Sequence, residues 1–164
     1  MRNPKTLHDL LSQEVFDSRE LIERLEELES ERSDLEQELE DCLEAHEAAV
    51  KAGNTTAALA AGEEVQKADD VITEWDDDDL EELEALREAN EQGENEVSDW
   101  SHGETLIAEE HFTEYAKELA YDIGALHGNE QWPHNHIDWE AAAGELLHDY
   151  TEIDIGGETY LVRS

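Results

Sequence analysis

The chain has 164 residues, with 47 aspartates and glutamates against 10 lysines and arginines, which gives a formal net charge of −37. This charge excludes a protein that binds nucleic acid directly, because no basic surface is available to displace counterions from phosphates. It also argues against docking on an anionic membrane, and no apolar run approaches the roughly 18 residues that span a bilayer.

Two further features predict an intracellular, cytoplasmic protein. The first residues lack the apolar core of a secretory signal, and Cys42 is the single cysteine. The acidity itself has two explanations that do not exclude each other. Proteins of salt-accumulating organisms carry acidic, lysine-poor surfaces, and only four lysines occur here. Alternatively, an acidic surface imitates nucleic acid and attracts basic partners. Disorder is a third explanation, and the apolar pattern argues against it.

The strongest local signal is a heptad seam in the first 50 residues. Its members recur at alternating steps of four and three: Leu21, Leu25, Leu28, Arg32, Leu35, Leu39, Cys42, His46 and Ala49. Leu7 and Leu11 extend the pattern backward, so it predicts one helix from Leu7 to Val50. On this seam, Cys42 is expected to serve in packing, and Arg32 and His46 to set the register.

A second helix is predicted after Gly53-Asn54, where glycine ends the first helix and Asn54 or Thr55 caps the next. Its apolar positions are Ala58, Ala61, Val65, Ala68, Ile72 and Trp75. Four aspartates interrupt this pattern, which resumes at Leu80 with a changed phase. We interpret the segment as one helix with a stutter or kink near Asp76. Residues 1–92 are thus predicted to form an antiparallel helical hairpin, a coiled coil whose seam is also compatible with a homodimer.

The remaining residues are predicted to form a linker, 93–103, and a small α+β domain, 104–164, that folds alone. The domain contains a short strand at Leu106-Ile107, a helix from Phe112 to Gly124 and a helix capped by Asp138. The predicted fold class is mainly α with a small α+β domain: a long antiparallel helical hairpin, then a compact domain ending in a β-hairpin.

Gly156-Gly157 is a two-residue turn signal between two alternating segments. Such a turn pairs Ile155 with Glu158 and Ile153 with Tyr160. The alternation then places four side chains on one buried face: Ile153, Ile155, Tyr160 and Val162.

Part of the chain resembles a known family. Tyr115–Leu126 forms a tyrosine-bearing helix ending in Gly-Ala-Leu, and it is followed by His136–Leu146 with an Ile-Asp-aromatic opening and by Asp149-Tyr150. These residues resemble the C-terminal region of the ArdA antirestriction family and other phage-type acidic DNA-mimic proteins. The resemblance covers about residues 104–163. It implies a mimic of duplex DNA that occupies the DNA channel of type I restriction-modification enzymes. The family's first two mixed α/β domains are not visible here, and a helical hairpin replaces them.

The spacing of the acids is compatible with this function. Where the two predicted helices lie side by side, they carry about one acid per 1.6 Å, against one charge per about 1.7 Å of B-DNA. The sequence therefore predicts a non-enzymatic inhibitor of a host defence system, of restriction-modification or CRISPR type. It would compete for the basic DNA-binding surface of a nuclease or effector complex. The predicted partner-binding residues are Asp76, Asp77, Asp78, Asp79, Glu81 and Glu82. The alternative is a halophilic coiled-coil adaptor whose acidity reflects salt adaptation.

A metal-dependent enzyme is a weaker alternative, based on the histidine-rich loop. His134 and His136 can ligate a metal, with Asp138 or Asp149 as a third ligand. However, the chain has no HExxH spacing, no cysteine partner for the histidines, and no Walker, dinucleotide or nucleophile-elbow motif. The sequence therefore predicts no metal, no cofactor and no catalytic residues.

Overall fold

The computed structural model describes residues 6–128, 131–132 and 135–164. The helices are α1 (Leu7–Leu11), α2 (Ser18–Lys51), α3 (Thr55–Glu96), α4 (Trp100–Gly103), α5 (Phe112–Asp122) and α6 (Trp139–Leu146). The strands are β1 (Val15–Asp17), β2 (Thr105–Ala108), β3 (Tyr150–Ile155) and β4 (Glu158–Arg163). Single 3-10 turns cover Glu109–His111 and Leu147–Asp149. The predicted fold class is confirmed: long helices precede a compact α+β part that ends in a β-hairpin.

The chain packs as two units. The sheet unit combines the residues up to Arg24 with Ala85–Ser164, and the hairpin unit is Leu25–Glu84. Residues 93–103, predicted as a linker, lie inside the sheet unit, where α3 continues to Glu96 and α4 follows. The packing units thus do not follow the boundaries that the apolar periodicity suggested.

The sheet unit is built on four antiparallel strands in the order β1-β2-β4-β3. The predicted register of the β-hairpin is confirmed, with Ile155 opposite Glu158 and Ile153 opposite Tyr160. Gly156 and Gly157 have φ angles of +61° and +89°, the conformation that a two-residue hairpin turn requires and that glycine adopts without steric cost.

Both faces of the sheet are covered. On one face, Ile107 and Leu161 pack with Phe112, Ala116 and Ala143 of the following helices. On the other face, the predicted set Ile153, Ile155, Tyr160 and Val162 is fully buried. The Tyr160 ring meets Phe16 edge to face at 5.1 Å, and its hydroxyl donates to the Leu11 carbonyl oxygen at 3.3 Å. A sheet buried on both sides explains why Tyr160, Leu161 and Val162 are consecutive core residues.

The prediction of continuous helix from Leu7 is wrong between α1 and α2. There β1 pairs with β2, with Phe16 opposite Leu106 and Val15 opposite Ile107. Phe16 is buried in the sheet while its neighbours are less buried, so this short segment follows the two-residue period of a strand. Its partner strand lies about 90 residues further along the chain, beyond the reach of local periodicity.

The segment predicted as a linker is ordered around Trp100, whose side chain is only 1% exposed. The indole N–H donates to the Asn90 side-chain oxygen at 2.8 Å. The hydroxyl of Ser18, itself fully buried, donates to the Trp100 carbonyl oxygen at 2.7 Å and accepts from the Glu104 N–H at 2.8 Å. Burial of this large aromatic ring provides the free energy that orders a polar, glycine-containing segment.

The hairpin unit contains the predicted antiparallel pair. The Arg32 guanidinium lies 3.0 Å from Asp76, and the His46 Nδ1 donates to the Ala58 carbonyl oxygen at 2.9 Å. The turn between the helices has Gly53 at φ +70°, and the Asn54 side chain caps α3 by accepting from the Ala57 N–H at 3.1 Å. The predicted break and cap are therefore confirmed.

The exposure pattern of α2 confirms the seam. From Leu28 to Ala49, each seam residue is buried or half-buried and every residue between them is exposed. On α3, the predicted apolar positions from Ala58 to Trp75 are also buried or half-buried. The helix passes through the aspartate run without interruption, and the three-four spacing continues through half-buried Asp79 and Glu82. Leu83 and Leu86 are fully buried and Leu80 is half-buried, so the predicted resumption of the apolar pattern at Leu80 with a changed phase is confirmed.

Candidate partner-binding surface

One side of the hairpin unit is lined with carboxylates. The residue immediately before each seam position is rotated by about 100° from the seam around the helix axis. In an antiparallel pair of helices, the residues that precede seam positions on the two helices point to the same side of the pair. On α2, four successive positions of this kind are acidic: Glu31, Asp34, Glu38 and Asp41. The heptad geometry therefore collects charge from both helices along one strip.

Two adjoining grooves open on this side. The first, of about 500 Å³, is lined by Glu31, Asp34, Leu35, Val71, Glu74, Trp75 and Asp79. The second, of about 540 Å³, is lined by Asp34, Gln37, Glu38, Asp41, Cys42, Ala45, Ala61 and Glu64. Asp34 belongs to both grooves. We call the carboxylates of this strip the acidic face: Glu31, Asp34, Glu38, Asp41, Glu64, Glu74 and Asp79.

The basic residues of the hairpin unit offset little of this charge. Lys67 pairs with Glu64 at 2.6 Å, and this contact raises the pKa of the Lys67 ammonium group. Arg32 lies on the seam, where it contacts Asp76 and Glu36. The third base is Lys51, at the end of α2. With 23 acids and 3 bases, this 60-residue unit carries a net charge of −20.

The first groove combines an apolar floor with an acidic rim. Leu35, Val71 and Trp75 form the floor, and the Arg32 guanidinium lies 5.6 Å from the centre of the Trp75 ring. Lysine and arginine side chains place their apolar stems on such a floor and their charged heads in the solvated rim. Carboxylates at the rim accept charge-assisted hydrogen bonds from those heads. The groove therefore suits a basic side chain of a protein partner.

The structure distributes the sequence-predicted contact residues around α3. Asp77 and Glu81 are exposed and one helical turn apart, whereas Asp76 is half-buried and paired with Arg32. Asp79 lines the first groove. Glu82 is half-buried, and the side chain of Asp78 lies outside the described part of the chain. Consecutive residues turn by about 100° around a helix, so six neighbouring acids cannot share one face.

Sequence reasoning missed six members of the acidic face and named only Asp79. The missing signal was present in the heptads, because each of the other six immediately precedes a seam position. Reading charge by position in the heptad, instead of by runs of consecutive acids, would have found them.

The described residues contain no cluster of three or more side chains suited to a metal ion. His134, a candidate ligand in the weaker metal-dependent alternative, lies outside the described residues, so the predicted absence of a metal stays a prediction. Among the helices that the structure describes, none is both long and apolar enough to cross a membrane.

Comparison with known proteins finds no matching family model, no similar curated protein and no similar solved structure. The resemblance of residues 104–163 to antirestriction proteins therefore stays a prediction.

Proposed function

We propose that this protein is a non-enzymatic acidic inhibitor that imitates duplex DNA. It occupies the basic DNA-binding surface of a host defence complex, of restriction-modification or CRISPR type. The carboxylates of the hairpin unit take the place of phosphates against lysine and arginine side chains of the target. The acidic face makes the central contacts, and exposed Asp77 and Glu81 extend them.

The observation that supports this proposal is the linear charge density of the hairpin unit. Acids run from Glu26 to Glu47 on α2 and from Glu63 to Glu84 on α3, each stretch being about 32 Å long at 1.5 Å per residue. The antiparallel contacts set these stretches side by side over most of their length. Together their 23 acids over about 32 Å give about one charge per 1.4 Å, compared with one per about 1.7 Å for B-DNA.

The mechanism is competition through many charge-assisted hydrogen bonds. Each hydrogen bond between a carboxylate and a basic group contributes about 1.5–3 kcal/mol to binding when it forms in a contact from which water is excluded. The free energy of binding should fall steeply with salt, since the Debye length shortens from about 10 Å at 0.1 M to about 3 Å at 1 M. Duplex DNA and this protein should exclude each other from the target.

The decisive experiment compares two fourfold neutralisations on the same helix. The face variant carries Glu31→Gln, Asp34→Asn, Glu38→Gln and Asp41→Asn. The matched control carries Glu26→Gln, Glu40→Gln, Glu44→Gln and Glu47→Gln, at positions that are exposed and off the acidic face. Both variants lose four charges and keep side-chain size, so they differ only in where the charge was.

The readout is capture of host proteins on the immobilised chain at 0.1 M salt, followed by elution with duplex DNA. A DNA-processing nuclease or effector should be recovered and released by the duplex. For the isolated target, the face variant should lose well over tenfold in affinity and the control less than about threefold. Equal losses of affinity in the two variants would mean that the target recognises only net charge. No loss of affinity in either variant would contradict binding through the acidic face.

The second candidate function is a salt-adapted coiled-coil adaptor. It is favoured by the sheet unit, which carries no candidate contact residue and still has a net charge of −17. An adaptor should retain its partners at 1 M salt and should not release them to duplex DNA. The same capture experiment therefore separates the two functions.

A further inference from the structure

The tip of the hairpin unit differs in charge from the rest of the chain. Residues 48–62 contain no aspartate or glutamate, although these residues make up more than a quarter of the protein. It is the longest acid-free run in the sequence, and Lys51 is its one charged residue. The acidic residues of α2 therefore end before the turn at Gly53, and those of α3 begin only after it.

Large apolar side chains are exposed at this tip. Leu43, Val50 and Leu59 are 48%, 56% and 69% exposed. Leu43 and Val50 lie three residues before and four residues after His46, which places all three on one side of α2. The His46 ring packs against Gly62 of α3, and His46, Leu59 and Gly62 line one groove of about 430 Å³. We call this surface the apolar tip face: Leu43, His46, Val50, Leu59 and Gly62.

The apolar tip face and the acidic face lie on opposite sides of the hairpin unit. Leu43, Val50 and Leu59 each follow a seam position by one residue, whereas every member of the acidic face except Asp79 precedes one. A contact at the tip therefore leaves the acidic face uncovered. The two surfaces therefore differ both in their place on the hairpin unit and in their chemistry, one being apolar and the other acidic.

We infer that the apolar tip face binds the same face of a second copy of this chain. Two copies carrying −37 each repel one another over most of their surface, and the repulsion is weakest around the acid-free turn, where Glu47, between Leu43 and Val50, and Glu63, in the groove, are the nearest acids on this side. Exposed leucine and valine side chains supply apolar area that such a contact removes from water. Small neighbours, including Ala48, Ala52 and Ala60, allow two helical tips to approach closely. In a dimer with two-fold symmetry, each of these side chains contributes to the contact once from each copy.

The like charge of the two copies gives this dimer a salt dependence of characteristic sign. Salt screens the like-charge repulsion between the copies and leaves the apolar contact intact, so self-association should strengthen as salt rises. Binding of a basic partner at the acidic face should weaken over the same range. The dimer is thus testable without knowledge of the partner, and its failure leaves the proposed function untouched.

The test is sedimentation equilibrium of the full chain between 0.1 and 2 M NaCl. Leu59→Glu and Val50→Glu place a charge on the apolar tip face, Leu59→Ala removes the side chain without adding charge, and Ile123→Glu is the matched control. Ile123 is 71% exposed and lies in the sheet unit, so this control adds the same charge at a similarly exposed apolar position. Circular dichroism establishes that each variant keeps its helices.

The wild-type chain should dimerise, with a dissociation constant at least about tenfold lower at 1 M than at 0.1 M salt. Leu59→Glu and Val50→Glu should each weaken the dimer by about a hundredfold or more and Leu59→Ala by about tenfold, since a symmetric contact loses the side chain twice. Ile123→Glu should stay within about threefold of wild type. A monomer at all salt concentrations, or equal weakening by Ile123→Glu, would overturn the inference.

Discussion

The ring of Trp100 occupies the space in which any side chain at position 93 would lie. A Cβ atom built on Gly93 would come within 2.3 Å of the indole, closer than non-bonded atoms approach. Glycine inside a helix ordinarily costs about 0.5–1 kcal/mol relative to alanine. At this position, the cost is offset by the burial of Trp100 against the backbone of α3.

Gly93→Ala is therefore expected to lower the free energy of unfolding by about 1–3 kcal/mol, the range typical of overpacking. Gly144→Ala in α6 is the control, because no atom lies within 4 Å of its added Cβ. That variant should be neutral or stabilised by up to about 1 kcal/mol. Urea unfolding followed at 222 nm measures both, and similar destabilisation at the two sites would contradict the packing argument.

Tyr160 makes the stability of the sheet unit sensitive to alkaline pH. Burial, with a smaller contribution from Glu158, raises the pKa of its hydroxyl from about 10 to about 12. The neutral phenol is favoured in the folded state, so its contribution is complete below pH about 10. That contribution is lost as the pH rises through about 12.

Tyr160→Phe should cost about 1 kcal/mol at neutral pH, because the hydrogen bond to Leu11 is lost. Between pH 10 and 12, however, the variant should lose stability less steeply than wild type. Part of the slope will remain, since burial also raises the pKa of Tyr150. Urea midpoints across this pH range provide the measurement; identical slopes would mean that Tyr160 does not titrate as described.

At the scale of secondary structure elements, the acids around the aspartate run of α3 lie in two different environments. Asp76 contacts Arg32 of α2, and both side chains are partly buried on the inner side of the pair. Asp77 and Glu81 are exposed on the same helix. This acidic segment therefore contributes an ion pair to the hairpin at one position and, in the proposed function, offers charge to a partner at others.

Asp76→Asn should lower the stability of the hairpin unit by about 1 kcal/mol, between the values typical of exposed and of buried ion pairs. The combined Asp77→Asn and Glu81→Gln variant should change stability by less than about 0.5 kcal/mol. Thermal unfolding measures this difference. In a binding assay with duplex DNA as competitor, the combined Asp77→Asn and Glu81→Gln variant should lose more affinity for the partner than Asp76→Asn. If only Asp76→Asn weakens partner binding, Asp77 and Glu81 are not contacts.

At the scale of the whole molecule, the sheet unit is assembled from separated parts of the chain. Strand β1 and the N-terminal helix α1 precede the hairpin unit, while the remaining strands follow it. The buried core residues of this unit include Leu10 and Phe16 from the first part and Trp100 from the second. Folding of the sheet therefore requires both parts at once.

This arrangement reverses the expectation that residues 104–164 fold alone. The isolated fragment lacks β1, Phe16, Leu10 and Trp100, so we expect no cooperative unfolding transition and weak near-ultraviolet dichroism. The fragment 25–84 should be helical in 1 M salt, where its charges are screened. Cooperative unfolding of the fragment 104–164 would show that the N-terminal strand is dispensable.

The sequence by itself determined the features that depend on neighbours within a few residues. The seam from Leu28 to Ala49, the turn at Gly53-Asn54, the Asp138 cap and the register across Gly156-Gly157 are all present as predicted. Each follows from helix or strand periodicity, from capping or from turn chemistry, which act over at most a few turns. The net charge likewise defined the class of partner that the proposal invokes.

Only the tertiary structure decided where that charge is concentrated and which residues complete the sheet. Phe16 lies in a strand because its segment pairs with the strand that contains Leu106, 90 residues further along the chain. The residues around Trp100 became ordered because a core was available to bury the ring. The acidic face exists because antiparallel packing brings flanking positions of two helices to one side. In each case the deciding interaction is non-local, so its free energy is not encoded in any window of neighbouring residues.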